Sequence, residues 1–174
     1  MMPKFVTSKY INKNTKGRND VTPIFENPKV FANLILDLVR PFKNTRFNKI
    51  AGLDALGFII GGVIAYKLKV GFVPIRKGGK LPEVNGTIVK TSFIDYTKKE
   101  KILEMNKNSI KKGDKILIVD DWVETGSQLK AAIKLIEKQE GVIIGISTLF
   151  AEQKPSTRIL FEKYNCKAVN LSYR

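Results

Sequence analysis

The run Lys115-Ile116-Leu117-Ile118-Val119-Asp120-Asp121-Trp122-Val123-Glu124-Thr125-Gly126-Ser127-Gln128-Leu129 leaves few folds open. Lys115 to Val119 has strand character, Asp120 and Asp121 follow, and a short Thr-Gly-Ser loop leads into a helical segment. A strand that enters a helix through a tight polar loop presents backbone N–H groups and small hydroxyls at the helix N-terminus, which makes a phosphate cradle. Carboxylates beside such a cradle repel the phosphate unless they face something else. The vicinal hydroxyls of a sugar suit them, and a metal ion softens the charge conflict. The local chemistry therefore reads as a sugar-phosphate site, with the diol at Asp120 and Asp121 and the phosphate at Thr125 to Ser127. The competing reading is an ordinary strand–turn–helix whose acids cap an exposed end.

The flanking pattern alternates strands with helices. Thr22-Pro23 and Asn27-Pro28 are turn and helix-start signals, and Val30, Phe31, Leu34, Ile35, Leu38 and Val39 then recur at helical spacing up to Pro41. Phe47 to Leu53 reads as a strand, Gly57 to Lys69 as a small-residue helix and Gly71 to Ile75 as a short buried strand. Arg76 to Pro82 reads as a glycine-hinged basic loop, and Glu83 to Glu104 as a hairpin-like excursion free to act as a lid. Ser127 to Glu140 is the next helix, with Leu129, Ala132, Ile133 and Ile136 inward. Val142 to Phe150 and Ala168 to Leu171 add strands, with helix from Ser156 to Lys163 between them. This order predicts an α/β fold, a mainly parallel twisted sheet flanked by helices on both faces. At 174 residues the chain is expected to form a single domain, with residues 1–27 as an N-terminal arm or hood and 83–104 as the flexible lid.

In parallel sheets ligands collect at the carboxyl ends of strands. Asp54 to Gly57, Arg76 to Lys80 and Asp120 to Ser127 all fall at such ends. If they converge, Arg76, Lys77 and Lys80 would neutralise a pyrophosphate, Arg through forked donors and Lys as a point charge. The net charge of +15 favours polyanionic partners without choosing between nucleic acid and a multiply phosphorylated small molecule. The lone Cys166 and the absence of histidine exclude an internal disulfide and a Cys/His zinc site. The most apolar stretch, Gly57 to Tyr66, is about half the length that crosses a bilayer, and the first residues carry no continuous apolar segment. A soluble cytoplasmic protein with no membrane partner is expected.

Ile116 to Gln128 resembles the phosphoribosyl-pyrophosphate motif of type I phosphoribosyltransferases: apolar strand, two acids, Thr-Gly loop. Gly71-Phe-Val-Pro-Ile-Arg-Lys-Gly-Gly-Lys-Leu-Pro82 is similar, nearly residue for residue, to the matching stretch of adenine phosphoribosyltransferases. Ile50-Ala-Gly-Leu-Asp54 with Gly57-Phe58, Asp20-Val-Thr-Pro23 and Leu103-Glu104 ahead of Lys107 agree as well.

The resemblance implies transfer of ribose 5-phosphate from phosphoribosyl pyrophosphate to a purine, adenine first. Mg2+ would be carried mainly by the substrate, with no metal-ligand set of the protein's own. By position it assigns the ribose hydroxyls to Asp120 and Asp121, and the 5′-phosphate to Glu124, Thr125, Gly126, Ser127 and Gln128. Arg76, Lys77, Lys80 and the Asp54-Ala55 peptide fall to the pyrophosphate, Arg18 to the hood over the base, and Asp95 and Tyr96 to an acid/Tyr catalytic pair. Trp122 either stacks on the base or packs. The resemblance further implies a homodimer, and it makes nucleic acid a lesser prospect than the nucleotide substrates. The chain departs from the family at Leu56, where Arg is usual, at Glu124, where a small residue is usual, and at Gln128, where Thr is common. A phosphoribosyltransferase for another purine, or a non-catalytic regulator of the same fold, stays open as the alternative.

Overall fold

The computed structural model describes residues 7–12, 19–95 and 97–173. Two prolines start the first helices, α1 (Thr22–Glu26) and α2 (Pro28–Val39), since proline's missing N–H costs nothing in a first turn. Asn27 caps α2, its side chain accepting from the backbone N–H of Lys29 and Val30. After β1 (Lys49–Leu53) come α3 (Leu56–Leu68), β2 (Gly71–Lys77), the hairpin of β3 (Ile88–Ile94) and β4 (Glu100–Asn106), then β5 (Lys115–Val123) and α4 (Ser127–Lys138). The chain ends with β6 (Val142–Gln153), α5 (Arg158–Glu162) and β7 (Cys166–Tyr173).

The strands form one seven-stranded sheet in the order β3-β4-β2-β1-β5-β6-β7. Every pairing from β2 through β7 is parallel, and only the hairpin runs antiparallel, at the β2 edge. Each face buries its own core. One joins α4 and α5 to Leu103 and Met105 of β4, and the other joins α1, α2 and α3 to Ile50, Leu117 and Val119. The Ser147 hydroxyl donates to the carbonyl of Leu38 at 2.8 Å and ties α2 to β6. The predicted α/β architecture is therefore the observed one.

Boundaries differ where tertiary pairing extends a strand. β2 runs on through Arg76 and Lys77, because β4 hydrogen-bonds to it with Arg76 opposite Glu104 and Lys77 opposite Leu103. The expected basic loop therefore starts at Gly78. β6 and β7 outlast their apolar runs, since they stay in register from Ile146 opposite Cys166 to Gln153 opposite Tyr173. The hairpin is present as expected, and its base is part of the sheet.

Candidate active site

At the carboxyl end of β5 the buried Asp120 turns its Oδ1 to accept the N–H of Asp121 at 2.9 Å. The Thr148 hydroxyl on β6 lies 3.1 Å from the Asp121 carbonyl and 3.0 Å from that of Phe150, pinning the turn from its neighbour. Gly126 then takes φ +74, and a Cβ there would sit 2.9 Å from Leu160 Cδ1 on α5. Glycine satisfies both the backbone angle and the close approach. Thr125 and Ser127 point their hydroxyls at one another, 3.1 Å apart, while Gly126 caps α4 without a side-chain bond. The first turn of α4 thus faces the loop with amides and hydroxyls, the requirement for an anion cradle.

The three strand-end clusters converge on two adjoining cavities. The larger, about 790 Å³, is lined by Glu124 to Leu129, by Lys77 to Gly79, and by the hairpin residues Lys90, Phe93, Asp95, Thr97, Lys99 and Lys101 among others. The smaller, about 220 Å³, is lined by Asp54, Ala55, Leu56 and Asp121. Lys77, Asp120, Trp122 and Gln128 border both. The Asp54–Ala55 peptide is cis, and α3 starts beside the small cavity with no side-chain cap.

The basic cluster does not act as one group. Strand alternation puts Lys77 in the cavity walls and Arg76 on the α3 face, over the Phe58 ring at 5.9 Å and 4.0 Å from Asp54. Arg76 also donates through Nη1 to the Lys80 carbonyl at 3.0 Å. Lys80 itself is exposed and, like Arg76, lies outside the walls of both cavities.

Glu104 was not among the expected site residues. It is fully buried on β4 beneath the larger cavity, and accepts the N–H groups of Gly79, Lys80 and Leu81 at 3.0, 2.7 and 2.7 Å. Burial alone would raise its pKa, but those amides and the nearby Lys90 hold it below the ordinary value. The sequence hints are a carboxylate set in the apolar run Ile102-Leu103-Glu104-Met105 and the agreement of Leu103-Glu104 with the family that the chain resembles.

Asp95 is at the rim of the larger cavity, where its Oδ1 accepts from Thr97 N and Oγ1 and from Lys99 N at 2.8, 2.5 and 3.2 Å. The Thr97 hydrogen bond is the main reason its pKa lies below the usual carboxylate value. Its partner Tyr96, and Arg18 of the hood, lie outside the described residues. Trp122 stacks on Phe150 with centroids 4.0 Å apart. Glu124 is half-buried in the cavity wall, and among the described residues its carboxylate has no hydrogen bond or ion pair.

The chain matches the phosphoribosyl transferase domain over residues 20–172. It is 44% identical over 127 residues to the adenine phosphoribosyltransferase of Cereibacter sphaeroides, covering 72% of this chain and 68% of that one. Its structure is similar to that of adenine phosphoribosyltransferase from Rhodothermus marinus, with TM-score 0.84, 29% identity, and 95% and 96% of the two chains covered. It is likewise similar to the Giardia lamblia enzyme complexed with 9-deazaadenine, with TM-score 0.83, 28% identity and 97% of each chain covered.

Proposed function

The chain belongs to the phosphoribosyl transferase family, and from that premise we propose that it transfers ribose 5-phosphate from phosphoribosyl pyrophosphate to adenine, giving AMP and pyrophosphate. One observation carries the reading: the Asp120–Asp121 pair, the Thr125–Gln128 loop and Lys77 meet around two adjoining cavities. The acids accept hydrogen bonds from the ribose hydroxyls, and the loop takes the 5′-phosphate. Lys77 lies toward the pyrophosphate, as does the uncapped start of α3 at Ala55 and Leu56, whereas Arg76 at the end of β2 and Lys80 on the following loop stand outside both cavity walls.

As the bond from ribose C1 to the pyrophosphate oxygen breaks, its electron pair leaves with pyrophosphate and the ribose becomes oxocarbenium-like. The base nitrogen forms the new bond and loses its proton. Catalysis then consists of holding the leaving group and placing the base in line, and it requires no histidine or cysteine nucleophile. In this reading Asp95 acts as proton acceptor through Oδ2, since Oδ1 is taken by Thr97 and Lys99.

The donor set suits Mg2+ carried by the substrate. Asp120 and Asp121 offer one or two carboxylates beside phosphate oxygens, the usual setting for Mg2+ with retained waters. When bound, the ion neutralises pyrophosphate charge. The reading extends to a homodimer, for which α3 offers the exposed apolar residues Ile59, Val63 and Tyr66. It also extends to the cytoplasm. No described helix is long and apolar enough to cross a membrane.

The test is pyrophosphate release from phosphoribosyl pyrophosphate with adenine, hypoxanthine or guanine, with Mg2+ and with chelator. Turnover with adenine that chelator abolishes is the expected result, and no turnover with any base overturns it. Tight calorimetric binding of phosphoribosyl pyrophosphate without turnover would instead mark a binding protein, the reading that Leu56 in the smaller cavity favours.

A further inference from the structure

The loop after β2 carries glycines and lysines beside a cavity, the composition of a backbone anion nest. Its amides are nevertheless all engaged. Gly78 N–H donates to the Ile102 carbonyl at 2.9 Å, and the next three N–H groups, of Gly79, Lys80 and Leu81, converge on Glu104. Gly79 reaches this curl with φ +77, and a Cβ on Gly78 would lie 2.9 Å from Ile102 Cβ, so the loop is held tightly against β4. The Arg76 guanidinium closes the far side on the Lys80 carbonyl.

We propose that Glu104 is a positioning residue: its buried carboxylate fills the anion nest of Gly79–Leu81 and shapes the cavity wall, so that the leaving group is gripped here by side chains, chiefly Lys77, and not by loop amides. The carboxylate occupies the place a phosphate oxygen would otherwise take, and like charge keeps pyrophosphate from competing for it. Lys77, one residue before the loop and opposite Leu103, is thereby held at the junction of both cavities. The kinetic part of this inference rests on the transferase reading, and the structural part does not.

The experiment uses Glu104→Gln, which keeps volume but places an NH2 group against one of the three donors, with Glu104→Asp as the carboxylate-retaining control. Amide hydrogen exchange at Gly79, Lys80 and Leu81, referenced to β1 amides, should accelerate about tenfold in Glu104→Gln and less in Glu104→Asp. KM for phosphoribosyl pyrophosphate should rise about tenfold, with KM for adenine within about twofold and partial recovery in Glu104→Asp. A merely structural residue would lower thermal stability without separating the two KM values. Unchanged exchange at the three amides, or equal shifts in both KM values, overturns the proposal. If the wild-type protein turns over no base, the transferase reading fails, while the exchange measurement still decides whether Glu104 fills the nest.

Discussion

The Trp122 indole lies flat on the Phe150 ring, with centroids 4.0 Å apart and planes inclined by 15°. The residues are opposite partners on β5 and β6, so one ring face of Trp122 is covered from within the sheet while the residue borders both cavities. Of the two roles left open by the sequence, the structure shows the packing on Phe150, and the proposed function gives the remaining surface of Trp122 to the base. A base stacked on an aromatic ring gains ~1–3 kcal/mol. Trp122→Ala should raise KM for adenine about tenfold and leave that for phosphoribosyl pyrophosphate nearly unchanged. Trp122 is the chain's only tryptophan, so AMP should quench the protein's indole emission directly. Emission indifferent to saturating AMP would remove the base from this ring.

Asp120→Asn with Asp121→Asn should abolish nucleotide formation while the fold persists. Both substitutions keep shape and remove the charge that meets the ribose hydroxyls and the developing cation. Loss of such electrostatic stabilisation costs ~3–4 kcal/mol per group, so a fall in kcat of at least about 100-fold is expected. Steady-state rates alongside a circular dichroism melt check it. Near wild-type turnover would move the ribose elsewhere.

Asp114 provides a control far from the chemistry, at the opposite end of the sheet. Its carboxylate takes Lys49 Nζ at 2.8 Å, Lys111 N–H at 2.8 Å and the Asn48 amide at 2.7 Å, joining β1 to β5. Burial would raise its pKa, but the bonds from Lys49, Lys111 and Asn48 prevail and hold it at about 2, down from 3.8. A depressed carboxylate contributes stability that is complete above its unfolded pKa and is lost as pH falls through the folded value. The contribution is roughly 2 kcal/mol at neutral pH. Asp114→Asn should lower Tm by about 4–8 °C at pH 7, leave both KM values alone, and flatten the fall of Tm between about pH 4 and pH 2. An unaltered pH profile would show that the group carries no such coupling.

What could be read in advance followed the range of the physics involved. The β5 to α4 run is legible because its strand, acids, turn glycine and helix start are all local, and the two faces of the sheet follow from alternating periods of 2 and 3.6. The opposite facing of Arg76 and Lys77 was hidden by ending β2 at Ile75, since the pairing that extends it comes from β4. Glu104 was hidden for a related reason. Its three donors belong to a loop that only the pairing of β2 with β4 brings over it. Phe150 behind Trp122 likewise depends on strand register, which a shift between Ile116 and Leu117 alters before the site is reached.

Gly126→Ala tests the phosphate loop from below. An added Cβ meets Leu160 Cδ1 at 2.9 Å and Thr157 Cγ2 at 3.4 Å, on a backbone at φ +74 that L-residues avoid. Displacement of the loop should cost ~1–3 kcal/mol of stability and raise KM for phosphoribosyl pyrophosphate more than that for adenine. Thermal melts and the paired KM values check it. Equal effects on both substrates would place the 5′-phosphate away from this loop.

Glu124 sets the sign of the remaining electrostatics. It is half-buried in the wall of the larger cavity next to Thr125, and no described cation pairs with it. Toward a phosphate roughly 6 Å away, a carboxylate costs ~1–3 kcal/mol per charge at an effective dielectric of about 80 to 20. Its removal should therefore tighten substrate binding, unlike the other substitutions at this site. Glu124→Gln keeps the volume and Glu124→Ala clears it. Both should lower KM for phosphoribosyl pyrophosphate about fivefold or more if charge is the cause, whereas a steric cause lowers it in the Ala variant alone. Unchanged KM in both would mean that the carboxylate turns to solvent, where water screens it and the phosphate cradle works undisturbed.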